Sequence, residues 1–420
     1  MPVSKDFKSR IFPKLDKISD YFSTPFHIYD EKGIRQTCNE LKKAFSGINN
    51  FKEYFAVKAL PNPAILKIIK DEGFGFDCSS IPELTLARQQ TNDALDIIFT
   101  SNNTTKKEFI YAMSGCGSII NLDDISLIDK LPEIPELVSF RYNPGPDRTG
   151  NAIIGKPSEA KYGLAKNQII DAYRKIMDMG AKKFGIHAMV ASNELNEDYI
   201  IETARMLLDL CEKISGELGI KFEFINIGGG LGIPYRPEEK SLDIFKMGNE
   251  ITKLFKEFAE KNLYEPALNM ESGRFMTGPH GILVTKVINT KDIYRKYVGL
   301  DASMPALMRP GIYGAYHHVE IPGKEDDYHK KEVVDITGSL CENNDKFAIQ
   351  RELPKLEEND IVVIEDTGAH GHSMGFNYNG RLRPKELLFT EKNEVILIRR
   401  EEEEKDHFAT LEFDAKSLKI

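Results

Sequence analysis

No stretch of this chain approaches the roughly 18 consecutive apolar residues that a membrane-spanning helix needs. Met1 to Pro13 mixes Lys, Asp and Arg and has no apolar core of signal-peptide length, so a soluble, cytoplasmic protein is expected. Cysteine is scarce. Cys38, Cys78, Cys116, Cys211 and Cys341 are an odd number at no metal-like spacing. That argues against a disulfide framework and against a structural zinc site, and no metal is expected. Most of these thiols should be buried and act as small hydrophobes. A positive excess is missing as well: Lys plus Arg is 56, Asp plus Glu is 65, and the formal net charge is −9. Neither nucleic acid nor an anionic membrane is therefore an expected partner, although a locally basic pocket could still take a small anion. Internal repeats are absent. The hydrophobic share of 41% and charged share of 29% are those of a globular chain, and 420 residues suggest two or three domains, or a large barrel with a smaller partner.

Short apolar runs alternate with amphipathic stretches from Phe51 onward. The strand-like runs are Tyr54–Val57, Phe74–Asp77, Ile97–Thr100, Ile119–Asn121, Leu137–Tyr142, Phe184–Ala188, Phe222–Ile227 and Leu268–Met270. Between them, Pro63–Glu72, Glu83–Gln90, Lys106–Ser114, Gln168–Met179, Tyr199–Leu218 and Ile244–Lys261 read as helices. Repeated strand–helix alternation predicts an α/β fold, a (β/α)8 TIM-like barrel. An open doubly wound sheet would want a Gly-rich first turn, which Phe51–Leu60 lacks. After Pro279 the pattern changes to strands at Gly281–Asn289, Glu332–Thr337, Asp360–Glu365, Glu386–Phe389 and Glu394–Ile398, with no helix of useful length. The expected organisation is a segment 1–30 packing on the C-terminal domain, a barrel at 31–278, and an all-β domain at 279–420. The acidic run Glu401–Glu404 reads as a solvated turn and Lys324–Lys331 as an exposed loop.

Barrel enzymes carry their chemistry at the C-terminal ends of the strands. Here those ends supply Lys58, then Asp77-Cys78-Ser79, Asn102-Asn103, Asn121, Asn143-Pro144-Gly145, His187, Gly228-Gly229-Gly230 and Glu271-Ser272-Gly273-Arg274. A lysine directly after an apolar strand should be partly desolvated, which suits Schiff-base formation, although a snorkelling surface lysine is the commoner case. Three glycines offer bare backbone N–H groups to a phosphate, or simply make a tight turn. Glu271 could keep a ring nitrogen protonated, and Arg274 could meet a phosphate or a carboxylate. An aldehyde-reactive lysine, a phosphate cradle and a ring-nitrogen acid are together what pyridoxal phosphate requires.

At this point the sequence resembles the diaminopimelate decarboxylases, within the alanine-racemase-type (fold type III) pyridoxal-phosphate decarboxylases. The matching segments are Tyr54-Phe55-Ala56-Val57-Lys58-Ala59, Phe76-Asp77, Ile227-Gly228-Gly229-Gly230-Leu231-Gly232, Glu271-Ser272-Gly273-Arg274, Arg309-Pro310-Gly311-Ile312-Tyr313, Cys341-Glu342, and Asp366-Thr367-Gly368-Ala369 running into Asn377-Tyr378-Asn379. They stand in family order and span about Thr24 to Phe389. The resemblance implies conversion of meso-2,6-diaminopimelate to L-lysine and CO2 with pyridoxal 5'-phosphate. It implies Lys58, His187 and Cys341 as catalytic: Lys58 carries the cofactor, His187 stacks on its ring and Cys341 returns a proton. Asp77, Ser192, Gly229, Gly230, Gly273 and Arg274 are implied around the cofactor, with Glu271 at the ring nitrogen and Tyr378 near phosphate and substrate. Arg274, Arg309, Tyr313 and Glu342 are implied at the substrate. A homodimer with shared sites is implied too, Cys341 and Glu342 reaching the partner's barrel.

Three departures stand out. The usual His-x-His-x-Gly-Ser is here His187-Ala188-Met189-Val190-Ala191-Ser192, which keeps the first histidine and the serine. The usual Glu-Pro-Gly-Arg is Glu271-Ser272-Gly273-Arg274, and Met304-Pro305 alters a turn near Arg309. A substrate with a distal ammonium and carboxylate needs one anion and one cation, which Glu342 and Arg309 provide. A carboxynorspermidine, ornithine or arginine decarboxylase is the same-class alternative. A catalytically dead regulatory homologue is the alternative of another class, and retention of Lys58 and Cys341 argues against it.

Overall fold

The computed structural model describes residues 3–151, 153–324 and 331–412. They form two compact units, one of residues 32–278 and one joining residues 3–31 to the chain from Pro279 onward.

In the first unit, eight parallel strands close into a barrel. They follow strand β1 (Phe26–Asp30) in the chain: β2 (Phe51–Ala56), β3 (Gly75–Cys78), β4 (Ile97–Thr100), β5 (Ile119–Leu122), β6 (Leu137–Tyr142), β7 (Lys183–Ala188), β8 (Phe222–Asn226) and β9 (Ala267–Met270). This is the TIM-like architecture that the alternation predicts. Strands buried on both faces read as continuous apolar runs rather than alternating ones, which is why Ile97–Ile98–Phe99 was legible. Closure is direct, Glu53 of β2 lying opposite Met270 of β9.

Local chemistry sets the helix ends. The helix Pro63–Asp71 starts where the Asn62 side chain accepts the Ala64 N–H and Pro63 needs no N–H partner. The helix at 197–218 starts at Glu197, ahead of the expected Tyr199, because Asn196 accepts the Asp198 N–H; it stops at Gly219, whose φ of +70° takes the left-handed conformation. Thr105 and Glu108 form a reciprocal capping box before the helix Lys106–Met113.

The second unit is built on a nine-stranded sheet. Its further strands are β10 (Gly281–Asp292), β11 (Lys296–Leu300), β12 (Val319–Glu320), β13 (Lys331–Thr337), β14 (Lys346–Pro354), β15 (Ile361–Ile364), β16 (Lys385–Phe389) and β17 (Val395–Arg399). β1 runs antiparallel to β10 and parallel to β16, so the N-terminal segment supplies a central strand. Helices Lys5–Ile11 and Leu15–Phe22 bring Phe7, Ile11 and Leu15 into one apolar cluster with Phe26, Ile28 and Phe389. Fully burying each such side chain contributes roughly 1.5–3 kcal/mol.

The acidic run is solvated as expected, with Glu401, Glu403 and Glu404 exposed, but it is also tied down by ion pairs. Glu402 accepts Arg383 Nε at 2.7 Å and Asn377 Nδ2 at 2.9 Å, and Glu401 pairs with Lys385 at 2.5 Å, because cations lie within reach of this strand end. Of the loop expected at Lys324–Lys331, residues 325–330 lie outside the described residues. Among the described residues, His318, Glu320 and Glu365 gather ligand-type atoms within 4.8 Å. A lysine ammonium serves those acids: Lys8 Nζ stands 2.6 Å from Glu320 and 2.5 Å from Glu365. Among the described residues, Cys38, Cys78 and Cys211 are buried free thiols, and burial pushes Cys38 up to about 12; Cys341 is exposed.

Candidate active site

The strand ends of the barrel bring Lys58, Asp77, His187 and Glu271 together. β2 stops at Ala56, and a short turn, Val57–Ala59, carries Lys58 beyond it. Its Nζ lies 3.9 Å from Asp77 Oδ2. The lysine side chain is 52% exposed, so about half of it is covered where the turn carries it past the end of the apolar strand. Asp77 is buried. Burial pushes its carboxyl well up, Glu271 adds to the rise and Lys58 opposes it.

Glu271 follows β9 directly and is the best-served acid of the site. His187 Nε2 lies 3.0 Å from its Oε2, and Asn226 Nδ2 donates to its Oε1 at 2.7 Å. Burial pushes the Glu271 carboxyl up, but His187, Lys58 and Asn226 together hold it below the ordinary range. Sequence reasoning missed Asn226. It ends β8, and its Oδ1 also accepts the Gly228 N–H at 2.9 Å, tying the glycine turn to Glu271. The signal was available, an asparagine on a barrel rim, but it reads equally as a turn residue.

The glycine turn has a steric reason of its own. A Cβ on Gly229 would sit 2.1 Å from the Glu271 carbonyl oxygen, so only glycine lets the two backbones meet. Gly230 has φ +99°, and its carbonyl oxygen accepts the Glu194 N–H at 2.8 Å. Ser192 gives its N–H to Asn151 Oδ1 at 3.2 Å, so the altered loop after His187 is anchored to the segment after β6. A Cβ on Gly273 would stand 2.7 Å from Ala59 Cβ, which packs the Glu271–Arg274 turn against the lysine turn. Arg274 Nη1 donates to Tyr235 Oη at 2.7 Å, and its guanidinium lies 5.7 Å from that ring. Tyr235 was also missed, since no motif marks it.

Pyridoxal phosphate fits this set on two observations. His187 Nδ1 and Asp77 Oδ1 are buried without a hydrogen-bond partner among the described residues. An acid kept anionic, a lysine and a cationic arginine share one rim with backbone that tolerates no side chain.

The remaining expected residues lie in the second unit. Arg309 is buried, its Nη1 3.0 Å from His317 Nε2; His317 Nδ1 is 2.7 Å from the Glu365 carbonyl oxygen. That carbonyl only accepts, so Nδ1 carries the proton and Nε2 receives the arginine. Cys341 is exposed, with its N–H on Asn379 Oδ1 at 2.8 Å, next to Tyr378. Glu342 Oε1 accepts the Asn344 N–H at 3.1 Å. Tyr313 and Tyr378 are 64% and 48% exposed and so reachable from solvent.

Comparison with known proteins decides the family. Residues 31–278, more than half of the chain, match the pyridoxal binding domain of the pyridoxal-dependent decarboxylases. The chain belongs to this family. The decarboxylase is 44% identical to Protein TabA of Pseudomonas amygdali pv. tabaci, over 98% of this chain and 97% of that one. It is 37% identical to the diaminopimelate decarboxylase of Methanothermobacter thermautotrophicus, over 92% of this chain and 91% of that one. The diaminopimelate decarboxylase of M. jannaschii, solved in co-complex with L-lysine, superposes with a TM-score of 0.87 at 31% identity, covering 96% of this chain and 94% of that one. The family's cofactor is pyridoxal phosphate. Among the described residues, no helix is long and apolar enough to cross a membrane.

Proposed function

We propose that this decarboxylase removes one carboxylate of meso-diaminopimelate as CO2 and leaves L-lysine. The observation that carries the reading is full-length similarity to enzymes of that name, one of them solved with L-lysine. The residues supply the parts. Lys58 Nζ anchors the cofactor, and Glu271, buried and bonded to His187 and Asn226, holds a proton at its ring nitrogen. Bound pyridoxal phosphate supplies an electron sink for the pair left when CO2 departs. His187 covers the ring, while Asp77, Ser192, Gly229, Gly230, Gly273 and Arg274 border the cofactor. Arg274, Arg309, Tyr313 and Glu342 orient the substrate, with Tyr378 near it and the phosphate. Pairing Arg309 with a distal carboxylate and Glu342 with a distal ammonium suits a substrate carrying both.

Cys341 Sγ returns the proton to the carbon that lost CO2. We further propose a homodimer in which Cys341 and Glu342 complete the partner's site; the exposure of Cys341 supports this. A free exposed thiol persists in a reducing compartment, which supports the cytoplasm. We take the barrel as 31–278, the β-rich domain as 279–420 and residues 1–30 as a segment packing on the latter; the grouping of residues 3–31 with the chain from Pro279 onward supports this.

Product identification tests the reading. Incubation with meso-diaminopimelate should give lysine and CO2 in equal amounts, while ornithine, arginine, lysine and carboxynorspermidine should turn over at least tenfold less efficiently. Preference for any of the latter would reassign the substrate, and no turnover of any would point to a regulatory binding protein.

A further inference from the structure

A buried carboxylate that neither the motifs nor the mechanism uses stands behind the site. Glu53 lies in β2, opposite Met270 of β9, and is fully buried. Its Oε1 accepts the backbone N–H of Ser272, the residue after Glu271. Its Oε2 has no hydrogen-bond partner among the described residues. We propose that Glu53 is a positioning residue that works as an uncharged acid: it holds the Glu271–Arg274 turn through Ser272 and leaves Glu271 as the anion of the pair.

Two buried carboxylates in one neighbourhood cannot both ionise cheaply, so the proton stays with the acid that has fewer donors. Glu271 has two side-chain donors, His187 and Asn226, and Lys58 acts on it as well. Glu53 is served by Ser272, whose backbone N–H donates to Oε1 and whose hydroxyl also favours the carboxylate, while its Oε2 has no hydrogen-bond partner among the described residues. The titratable groups facing Glu53 are Glu271, beyond the neighbouring strand β9, Asp77 of β3 on the other side, and the buried Cys38 thiol of the helix Glu31–Ala44; the two carboxyls favour its neutral form. Burial pushes the Glu53 carboxyl well above its ordinary range, and these carboxyls add to it. Ser272 can serve as donor because it keeps the N–H that a proline lacks. The chemical part of this inference rests on the reading that Glu271 faces the cofactor's ring nitrogen. The location of the proton on Glu53 does not.

Two measurements on the full chain test it, neither needing substrate. The first is the unfolding midpoint of wild type and Glu53→Gln without cofactor at several pH values. A raised folded pKa means that the native state keeps a proton that the unfolded chain releases above about pH 4.3, so wild-type stability falls as pH rises. Glutamine has no such proton. The gap in favour of Glu53→Gln should therefore widen as the pH rises above about 5, and a constant offset would show that Glu53 ionises like an ordinary acid and overturn the proposal. The second is titration with pyridoxal phosphate, read by affinity and by the visible band of the bound cofactor. Glu53→Gln should keep the wild-type band and bind within about threefold, while Glu53→Ala, which strands the Ser272 N–H, should bind about tenfold more weakly or worse. Wild-type affinity and spectrum in Glu53→Ala would show that this bond positions nothing. A wrong substrate assignment would leave both measurements unmoved.

Discussion

His187 Nε2 stands 3.0 Å from Glu271 Oε2, and both side chains are buried. This contact, with Asn226 on the other carboxylate oxygen, holds the Glu271 carboxyl below its ordinary range against the upward push of burial, so it is anionic at neutral pH. Glu271→Gln removes the charge and keeps the size. By analogy with other removed electrostatic stabilisers, kcat should fall about 10²–10³-fold while the cofactor still binds. Steady-state kinetics on the cofactor-loaded variant check this, and a kcat within twofold of wild type would contradict the role given to Glu271.

Lys58→Ala should abolish turnover and the visible band of the bound cofactor. Folding stability should change by no more than about 0.5 kcal/mol, because the side chain is 52% exposed and its one ion pair among the described residues, to Asp77, is long at 3.9 Å. Absorbance, activity and thermal unfolding of the same preparation check the three parts together.

Much of this site could be read in the sequence, for physical reasons that differ by residue. The barrel strands showed because strands buried on both faces are unbroken apolar runs. β1 did not: Phe26–Asp30 is five residues with buried His27 and Asp30, and its partners lie hundreds of residues away. Glu53 sits beside Lys52 in a run that looks like a solvated strand start, so nothing local marked it as buried. Lys58 stands out by position, but the turn Val57–Ala59 that carries it is not legible, because sequence does not show where a strand stops and a turn begins. Asn226 and Tyr235 act through Glu271 and Arg274, and such supporting contacts carry no motif.

The acid Glu386 offers a test of the second unit that is independent of catalysis. Burial pushes its pKa up, but His372, Arg399 and the Tyr29 hydroxyl bring it down to about 2. Since the folded pKa lies below the unfolded value of about 4.3, the stability it contributes is present above that value and lost as pH falls toward 2. That contribution is of the order of 3 kcal/mol at neutral pH. Glu386→Gln should therefore be destabilised at pH 7, with the penalty shrinking as the pH drops below about 4. Denaturant unfolding across that range checks the slope.

Sharing of the site between subunits predicts complementation. Lys58→Ala and Cys341→Ala should each be inactive, and their mixture should recover up to about a quarter of wild-type sites once subunits exchange. Tagged co-purification establishes exchange. No recovery in verified heterodimers would mean that each chain completes its own site.

Decarboxylation of meso-diaminopimelate in heavy water, with the product analysed by mass spectrometry, tests the central claim most directly. The account predicts lysine carrying one carbon-bound deuterium, on the carbon that lost CO2. Absence of lysine, or lysine without that deuterium, would contradict it.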